Sequence, residues 1–243
     1  MTPDSIQRPS AIDIQFVQEL DMSEDHQDLL ARCAAIASST WSDALDALGI
    51  QGVVQGVPRR GGAGRIAGFA VTARHVWGKL GDFDRSDFAV GRLVAATGPG
   101  KVLMVDAGGA AISTFGGIAS LAASRREATA VVIDGACRDV DEIQATGLWL
   151  ASRYVTPLTG KTRLKLQEMG GPVTIGGIAV AQGDLVVGDD TGMVVVPRAR
   201  LAQVLEAAEH ALEVDEQVEQ GIRGGLSFAD AAAAANYIPA KAQ

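Results

Sequence analysis

The sequence is poor in cysteine, in aromatic residues and in positive charge. Its two cysteines, Cys33 and Cys137, lie about a hundred residues apart, which is neither a disulfide framework nor zinc-ligand spacing and fits a reducing cytosol. Aromatic residues make up only 5% of the chain, so the core must be aliphatic. Acidic residues outnumber basic ones by 29 to 21, and the net charge of −8 argues against nucleic acid and anionic membrane surfaces as partners.

Long apolar runs and leader-like segments are also missing. No run of 18 apolar residues exists, so we expect no membrane-spanning helix. The first ten residues are polar, include Pro3 and Pro9, and lack the apolar region of a secretory signal. We therefore expect a cytoplasmic protein.

What remains is an ordinary globular composition with a surplus of glycine. Apolar residues make up 47% and charged residues 21% of the chain. Glycine accounts for 29 of the 243 residues, well above the ~7% typical of proteins, and belongs at turns or where backbone approaches a ligand. We expect an N-terminal extension over residues 1–25, a single domain over 26–225 and a C-terminal tail over 226–243.

The hydrophobic pattern predicts an α/β fold with a β-rich second half and a long C-terminal helix. Two short, wholly apolar runs at 102–105 and 131–133 are typical of strands buried on both faces. Further strands are predicted at 65–77 and 148–155, and helices at 83–96, 114–128, 140–145 and 197–221. Between residues 172 and 196, short apolar segments separated by turn residues predict a β-meander, with Asp189–Gly192 as a hairpin turn.

Two of the predicted strands run directly into glycine and acidic residues. Residues 105–109 read Val-Asp-Ala-Gly-Gly, and residues 133–139 read Ile-Asp-Gly-Ala-Cys-Arg-Asp. In open α/β sheets, ligands bind at the carboxyl ends of strands. A third pair, Gly116 and Gly117, lies at the start of the predicted helix after the first junction, where free backbone N–H groups favour an anion.

The dipeptide Arg138-Asp139 is the sharpest local feature. The planar guanidinium of arginine grips a carboxylate with two hydrogen bonds, and an adjacent aspartate suits a hard cation such as Mg²⁺. Together they would hold a 2-oxo acid. The alternative is that Asp139 only caps the following helix and that Arg138 pairs with a nearby acid. Cys137 is either a thiol activated by Arg138 or a small buried filler.

Several ordered motifs resemble the RraA-like family, which includes the class II 4-hydroxy-4-methyl-2-oxoglutarate (HMG) and 4-carboxy-4-hydroxy-2-oxoadipate aldolases. The resemblance runs from about Ser38 to Gly225 and implies a swivelling α/β sandwich domain, a trimer or dimer of trimers, and active sites between subunits. Its landmarks are Ser-Asp-Ala-Leu-Asp-Ala-Leu-Gly at 42–49, Gly-Phe-Ala-Val-Thr-Ala-Arg at 68–74, Val-Leu-Met-Val-Asp-Ala-Gly-Gly at 102–109, Phe-Gly-Gly at 115–117, Val-Val-Ile-Asp-Gly-Ala-Cys-Arg-Asp at 131–139 and Gly-Asp-Leu-Val-Val-Gly-Asp-Asp-Thr-Gly-Met-Val-Val-Val-Pro at 183–197.

The resemblance also implies roles for individual residues. Arg138 would bind the substrate carboxylate, and Asp139 would bind the divalent metal, Mg²⁺ or Mn²⁺. A glutamate of the C-terminal helix, Glu216 or alternatively Glu213, would reach the site of a neighbouring subunit. The backbone N–H groups offered to the pyruvyl group would come from Gly116, Gly117, Ile118 and Ala119.

One position departs from the aldolase pattern. The aldolases carry an acidic residue twenty-one positions before the arginine, and here that position is Gly117. Either another acid substitutes, with Asp106, Asp134 and Asp87 as candidates, or the reaction differs. Since the metal-binding aspartate is kept at Asp139, an enzyme is favoured over the non-catalytic, ribonuclease-binding branch of the family.

The sequence thus predicts a metal-dependent lyase acting on a small 2-oxo acid through a pyruvate enolate. HMG cleavage and oxaloacetate decarboxylation share this enolate, and decarboxylation needs no base for a substrate hydroxyl. One alternative is a lyase, hydratase or isomerase on a larger oxo acid, with Trp77, Phe83 and Phe115 around the substrate. The other is an RraA-type regulator that binds a protein partner.

Overall fold

The main sheet is built around the two apolar segments predicted to be buried strands. In the computed structural model, which describes residues 24–237, they form β3 (Lys101–Asp106) and β5 (Ala130–Cys137). The two strands lie side by side and parallel, with Val105 opposite Ile133. Both faces are covered, as a wholly apolar parallel pair requires.

The elements alternate between helix and strand in the first half and are mostly strands in the second, which confirms the predicted α/β class. The helices are α1 (Glu24–Ala35), α2 (Ser38–Ala47), α3 (Val90–Ala95), α4 (Gly117–Arg125), α5 (Val140–Thr146), α6 (Leu201–Arg223) and α7 (Phe228–Ala234). The remaining strands are β1 (Arg59–Gly61), β2 (Ile66–Trp77), β4 (Ser113–Phe115), β6 (Leu150–Val155), β7 (Leu164–Met169), β8 (Val173–Ile175), β9 (Ile178–Val180), β10 (Leu185–Gly188) and β11 (Met193–Val196).

The sheet is mixed and has β2 near its centre. The strand order is β1-β6-β5-β3-β2-β10-β11, with β4 added beside β5 and β7 beside β2. Strands β2, β3, β5 and β6 are parallel, whereas β7 and β10 pair with β2 in the antiparallel sense. The long C-terminal helix that the sequence predicted over 197–221 is α6, which shares a core cluster with β10 and β11.

Aliphatic side chains fill three layers against this sheet. One face of β3 and β5 packs on α3, α4 and α5 through residues such as Leu93 and Ile143. The other face packs on the β8–β9 hairpin through Val173 and Ile175. A third cluster joins α1, α2 and α6 to β10 and β11, with Trp41 fully buried. The low aromatic content is therefore matched by an aliphatic core.

Two predicted helices are shorter than expected. The predicted helix 83–96 is a 3₁₀ turn (Arg85–Phe88) followed by α3, because Ala89 adopts a left-handed backbone with φ of 45°. The predicted helix 114–128 begins only at Gly117, because Ser113–Phe115 pairs with β5 as a strand. Periodicity could not reveal this pairing, which depends on a distant strand.

The predicted meander is also wrong. Strands β8 and β9 form a separate two-stranded hairpin, and β10 pairs with β2 rather than with β9. The hairpin turn at Asp189–Gly192 is confirmed, because Asp189 accepts hydrogen bonds from the Thr191 and Gly192 N–H groups. The same carboxylate also accepts the N–H and hydroxyl of Ser38, tying this turn to α2.

The ends of the chain lie only partly within the structure. The predicted extension 1–25 falls almost entirely outside the described residues, since α1 begins at Glu24. The predicted tail 226–243 contains α7, which packs on α6 through the buried Ala231, and residues 238–243 are outside the described range. Among residues 24–237, no helix has both the length and the apolar character needed to span a bilayer.

Candidate functional site

Strand β4 brings the glycine pair beside Arg138. It runs parallel to the end of β5, and the Arg138 N–H donates to the Phe115 carbonyl over 3.0 Å. Because parallel strands end at the same edge of a sheet, Gly116 and Gly117 at the start of α4 meet Arg138 and Asp139 at the start of α5. The structure thus brings together the two segments singled out from the sequence.

Asp139 turns its side chain away from its own helix. Its backbone is left-handed, with φ of 55°, a conformation in which non-glycine residues are uncommon and often functional. Asp139 precedes α5, but its side chain makes no capping hydrogen bond to that helix. The alternative that Asp139 only caps the helix is therefore wrong. Its carboxylate instead accepts the Gly117 N–H at 3.2 Å and lies 3.3 Å from the Arg138 Nε, so Arg138 does pair with an acid.

Gly116 is required by the close approach of these two side chains. A Cβ at this position would lie 2.5 Å from an Asp139 carboxylate oxygen and 2.9 Å from the Arg138 Nε. Both distances are below any ordinary carbon contact. The absence of a side chain therefore lets the Arg138–Asp139 pair sit directly against the start of α4.

Gly117 leaves room for a different acid, Glu142. A Cβ at position 117 would overlap a carboxylate oxygen of Glu142 and lie 2.7 Å from both its Cβ and Cδ. Glu142 lies in the first turn of α5, three residues after Asp139, so both carboxylates face the start of α4. A carboxylate from the neighbouring helix therefore lies where a side chain at position 117 would lie. The spacing of three in a predicted helix start was the signal that sequence reasoning missed.

The three acids named as substitutes are occupied elsewhere. Asp134 accepts hydrogen bonds from the Arg153 Nε and Nη2, at 2.5 and 2.8 Å, and from the Gly176 N–H. Burial raises its pKa, but the Arg153 and Gly176 hydrogen bonds outweigh this and leave the pKa below its usual value. This carboxylate fastens the β8–β9 hairpin to β5.

Asp106 and Asp87 are likewise structural. Asp106 accepts the N–H groups of Gly108 and Thr174 at 2.8 and 3.1 Å. Asp87 accepts the Asp84 N–H in the 3₁₀ turn and lies 3.6 Å from the Lys165 ammonium. All three acids thus have partners in the fold, and substitution by any of them stays a prediction.

A cavity of about 350 Å³ opens beside Arg138, between α3 and α4. Gly116, Ile118, Ala119 and Arg138, four of the residues assigned to substrate, line it directly. Phe115 also lines it, whereas Trp77 and Phe83 do not. The other lining residues are Phe88, Val90, Gly91, Val94, Ser113, Thr114, Ala122, Thr159 and Lys161.

Two further sequence candidates lie away from this centre. Cys137 is fully buried, and burial raises its pKa while Ser152 donates to its sulfur at 3.3 Å, so it is a filler and not an activated thiol. Glu216 and Glu213 are exposed on α6. Within the described part of one chain, neither has a recorded bond to the Arg138 region.

The donor set suits a hard divalent cation held partly by water. Two carboxylates, Asp139 and Glu142, face the start of α4, and Asp139 is about one-third exposed. Mg²⁺ is commonly bound by one or two carboxylates, several waters and the substrate. Within residues 24–237, no group of three acidic, histidine or cysteine ligands converges to form a complete protein cage. The residues present therefore fit an open, oxygen-ligated site.

Comparison with known proteins relates the chain to one family. The family model described as RraA-like, Aldolase/RraA, matches residues 38–195, which include the whole Arg138 site. "Uncharacterized protein MJ0644" of Methanocaldococcus jannaschii is 31% identical over 171 residues, covering 68% of this chain and 76% of that protein.

One relative and one solved structure bear on function. A protein of Halalkalibacterium halodurans, named "Putative 4-hydroxy-4-methyl-2-oxoglutarate aldolase", is 28% identical over 202 residues, covering 83% of this chain and 91% of that protein. RraAS2 of Streptomyces coelicolor, described as an unusual member of the RNase ES inhibitor RraA protein family, is 26% identical with a TM-score of 0.71. That match covers 82% of this chain and 98% of the other.

Proposed function

This chain belongs to the RraA-like family, and from that premise we propose that it is a metal-dependent lyase that cleaves a C–C bond of a small 2-oxo acid. One observation carries the proposal: Arg138, Asp139 and Glu142 converge on the start of α4, with Glu142 in the space beside Gly117. In this arrangement the Arg138 guanidinium would bind the substrate carboxylate, Asp139 would bind the metal and Glu142 would accept a proton. A likeness to a protein named as an HMG aldolase adds support.

Arg138 and the first turn of α4 bind the substrate carboxylate. The guanidinium is partly exposed and lines the cavity, so its planar fork is open to a carboxylate. The first N–H groups of a helix have no partner within it, which leaves those of Ile118 and Ala119 to donate to the pyruvyl group. Asp139, held by the Gly117 N–H, keeps Arg138 oriented.

Asp139 is the residue that would hold Mg²⁺ or Mn²⁺, together with water and substrate, while the Glu142 carboxylate stays free to accept a proton. When bound, the cation supplies Lewis acidity that favours negative charge on the 2-oxo oxygen. By holding the cation next to Arg138, Asp139 would place it beside the 2-oxo oxygen of a substrate whose carboxylate is bound by Arg138.

Glu142 moves the proton. In aldol cleavage it accepts the proton of the substrate C4 hydroxyl while the C3–C4 bond breaks and its electrons pass to the enolate. A proton then returns to C3 to give pyruvate. Decarboxylation of oxaloacetate forms the same enolate but removes no hydroxyl proton, and so depends less on Glu142.

We propose that the assembly is a trimer or dimer of trimers in the cytoplasm, with Glu216 or Glu213 reaching a neighbouring site. Both glutamates are exposed on α6 and have no recorded contact with the Arg138 region of the described chain. A subunit boundary at the site would bring them to the substrate.

Pyruvate release with Mg²⁺ tests the proposal. The purified protein should release pyruvate from HMG or oxaloacetate, and chelation or Asp139→Ala should abolish the release. Circular dichroism and melting temperature of the variant serve as the folding control. Failure of both substrates with folded, metal-loaded protein would refute the lyase assignment.

A second candidate is a protein-binding regulator, favoured by the likeness to RraAS2. The net charge of −8 would suit a basic partner. Binding of such a partner should survive chelation and Asp139→Ala, whereas lyase activity should not.

A further inference from the structure

The cavity beside Arg138 is larger than a pyruvyl group requires. Its volume of about 350 Å³ corresponds to roughly twelve water molecules at ~30 Å³ each. A pyruvyl group has only six non-hydrogen atoms. About half of the cavity therefore remains for another part of the substrate.

Most of that space is enclosed by apolar side chains. Phe88, Val90 and Val94 line it from α3 and the turn before it, and Phe115, Ile118, Ala119 and Ala122 line it from β4 and α4. None of the described residues that line it is acidic. The charged residues among those that line it are Arg138 and Lys161. With Arg138 on the substrate carboxylate and Lys161 at the exposed rim, the seven apolar side chains favour an apolar substituent.

One buried hydroxyl in the cavity wall lacks a hydrogen-bond partner within the described chain. Thr114 is 1% exposed and lines the cavity, and its Oγ1 has no hydrogen-bond partner within the described chain. Buried polar groups are nearly always hydrogen-bonded, so an unpaired one at a cavity wall points to a missing ligand or water. Its neighbour Ser113 is satisfied by the Phe115 carbonyl at 3.0 Å.

We infer that the preferred substrate is a 2-oxo acid carrying an apolar branch of about six non-hydrogen atoms, with its carboxylate on Arg138 and the branch in this cavity. Cleavage of such an acid rests on the proposed function, whereas its binding in the cavity does not. Rotation of the buried Thr114 side chain would bring its hydroxyl to an oxygen of the bound acid. Lys161 is exposed where it borders the cavity, so its ammonium remains hydrated.

Unreactive carboxylates test the cavity without any catalysis. Binding of butyrate, hexanoate and adipate to the full-length protein is measured by calorimetry. Two additional buried methylene groups should make hexanoate bind about tenfold more tightly than butyrate. Adipate matches hexanoate in length but ends in a carboxylate, and should bind more weakly than hexanoate. Tighter binding of adipate would overturn the inference and assign the second carboxylate to Lys161.

Filling the cavity provides the matching variant. Ala122→Leu should lower hexanoate affinity about tenfold and leave butyrate within about twofold. Ala95→Leu is the control, because Ala95 is exposed on α3 and does not line the cavity. Equal hexanoate affinity in both variants would refute the assignment.

Two results separate this inference from the proposed function. Hexanoate binding that is lost in Arg138→Ala and weakened in Thr114→Val supports the cavity even if no 2-oxo acid is cleaved. Pyruvate release from HMG without any preference for hexanoate over butyrate leaves the lyase intact and removes the apolar branch.

Discussion

The Glu142 carboxylate occupies the volume that a side chain at position 117 would need. If Glu142 accepts the substrate hydroxyl proton, Glu142→Gln should lower kcat for HMG cleavage by about 10²- to 10⁴-fold. Oxaloacetate decarboxylation should fall by less than about tenfold, because that reaction removes no hydroxyl proton. Steady-state assays of pyruvate release measure both effects.

Asp141→Asn is the matched control for this comparison. It removes one carboxylate from the same exposed helix turn, next to Glu142 in the chain. Its activities should equal those of the wild type. An equal loss in both variants would show that the charge of the helix, and not the position of Glu142, matters.

Moving the acid from α5 to α4 should preserve the reaction. Gly117→Asp alone should destabilise the fold by about 1–3 kcal/mol, because the new side chain meets Glu142. Combining it with Glu142→Ala removes the overlap with the carboxylate but keeps the Glu142 Cβ, which lies 2.7 Å from the new Cβ. The double variant should therefore recover part of the lost stability and return an acid to the same space. Denaturant unfolding and HMG cleavage measure the two effects. A double variant no more active than Glu142→Ala would contradict the exchange.

The shared site should be visible in mixed assemblies. Chains carrying Arg138→Ala and chains carrying Glu216→Ala should each be inactive. After unfolding and refolding together, about a quarter of the sites combine an intact arginine with an intact glutamate from a neighbour. Recovered activity near that level supports a site between subunits, and no recovery excludes Glu216. The same mixture with Glu213→Ala decides between the two glutamates.

Acidification should destabilise the protein through His75. Burial lowers its pKa to about 4 from 6.5, against a smaller opposing effect of the Phe88 carbonyl. Between those pH values the unfolded chain binds a proton at His75 that the folded chain does not. The free energy of unfolding therefore has its full value above pH 6.5 and falls as the pH drops toward 4. The loss is about 3 kcal/mol.

Urea unfolding at several pH values measures this dependence. His75→Phe should flatten the curve between pH 6.5 and 4 and leave it parallel to the wild type above that range. His210→Phe is the control, since His210 is exposed on α6. Equal flattening in both variants would contradict the assignment to His75.

The parts of the fold that the sequence predicts well are those in which local pattern and burial agree. Strands β3 and β5 each contain an uninterrupted run of four buried apolar residues, 102–105 and 130–133, which is typical of a strand covered on both faces. Long α6 and strand β2 were predicted for the same reason. Strand β7 and the three-residue β1 and β4 were missed, because their pairing partners lie far away in the chain.

The candidate site divides in the same way. The sequence by itself determined that Arg138 and Asp139 follow a buried strand and that a glycine stands where an acid was expected. Only the tertiary structure decided which acid fills that gap. The left-handed turn at Asp139 and the packing of α5 on α4 aim Glu142 at Gly117. Asp106, Asp134 and Asp87 are instead held by hydrogen bonds to other partners. Side-chain direction depends on contacts between distant segments, and linear spacing does not record it.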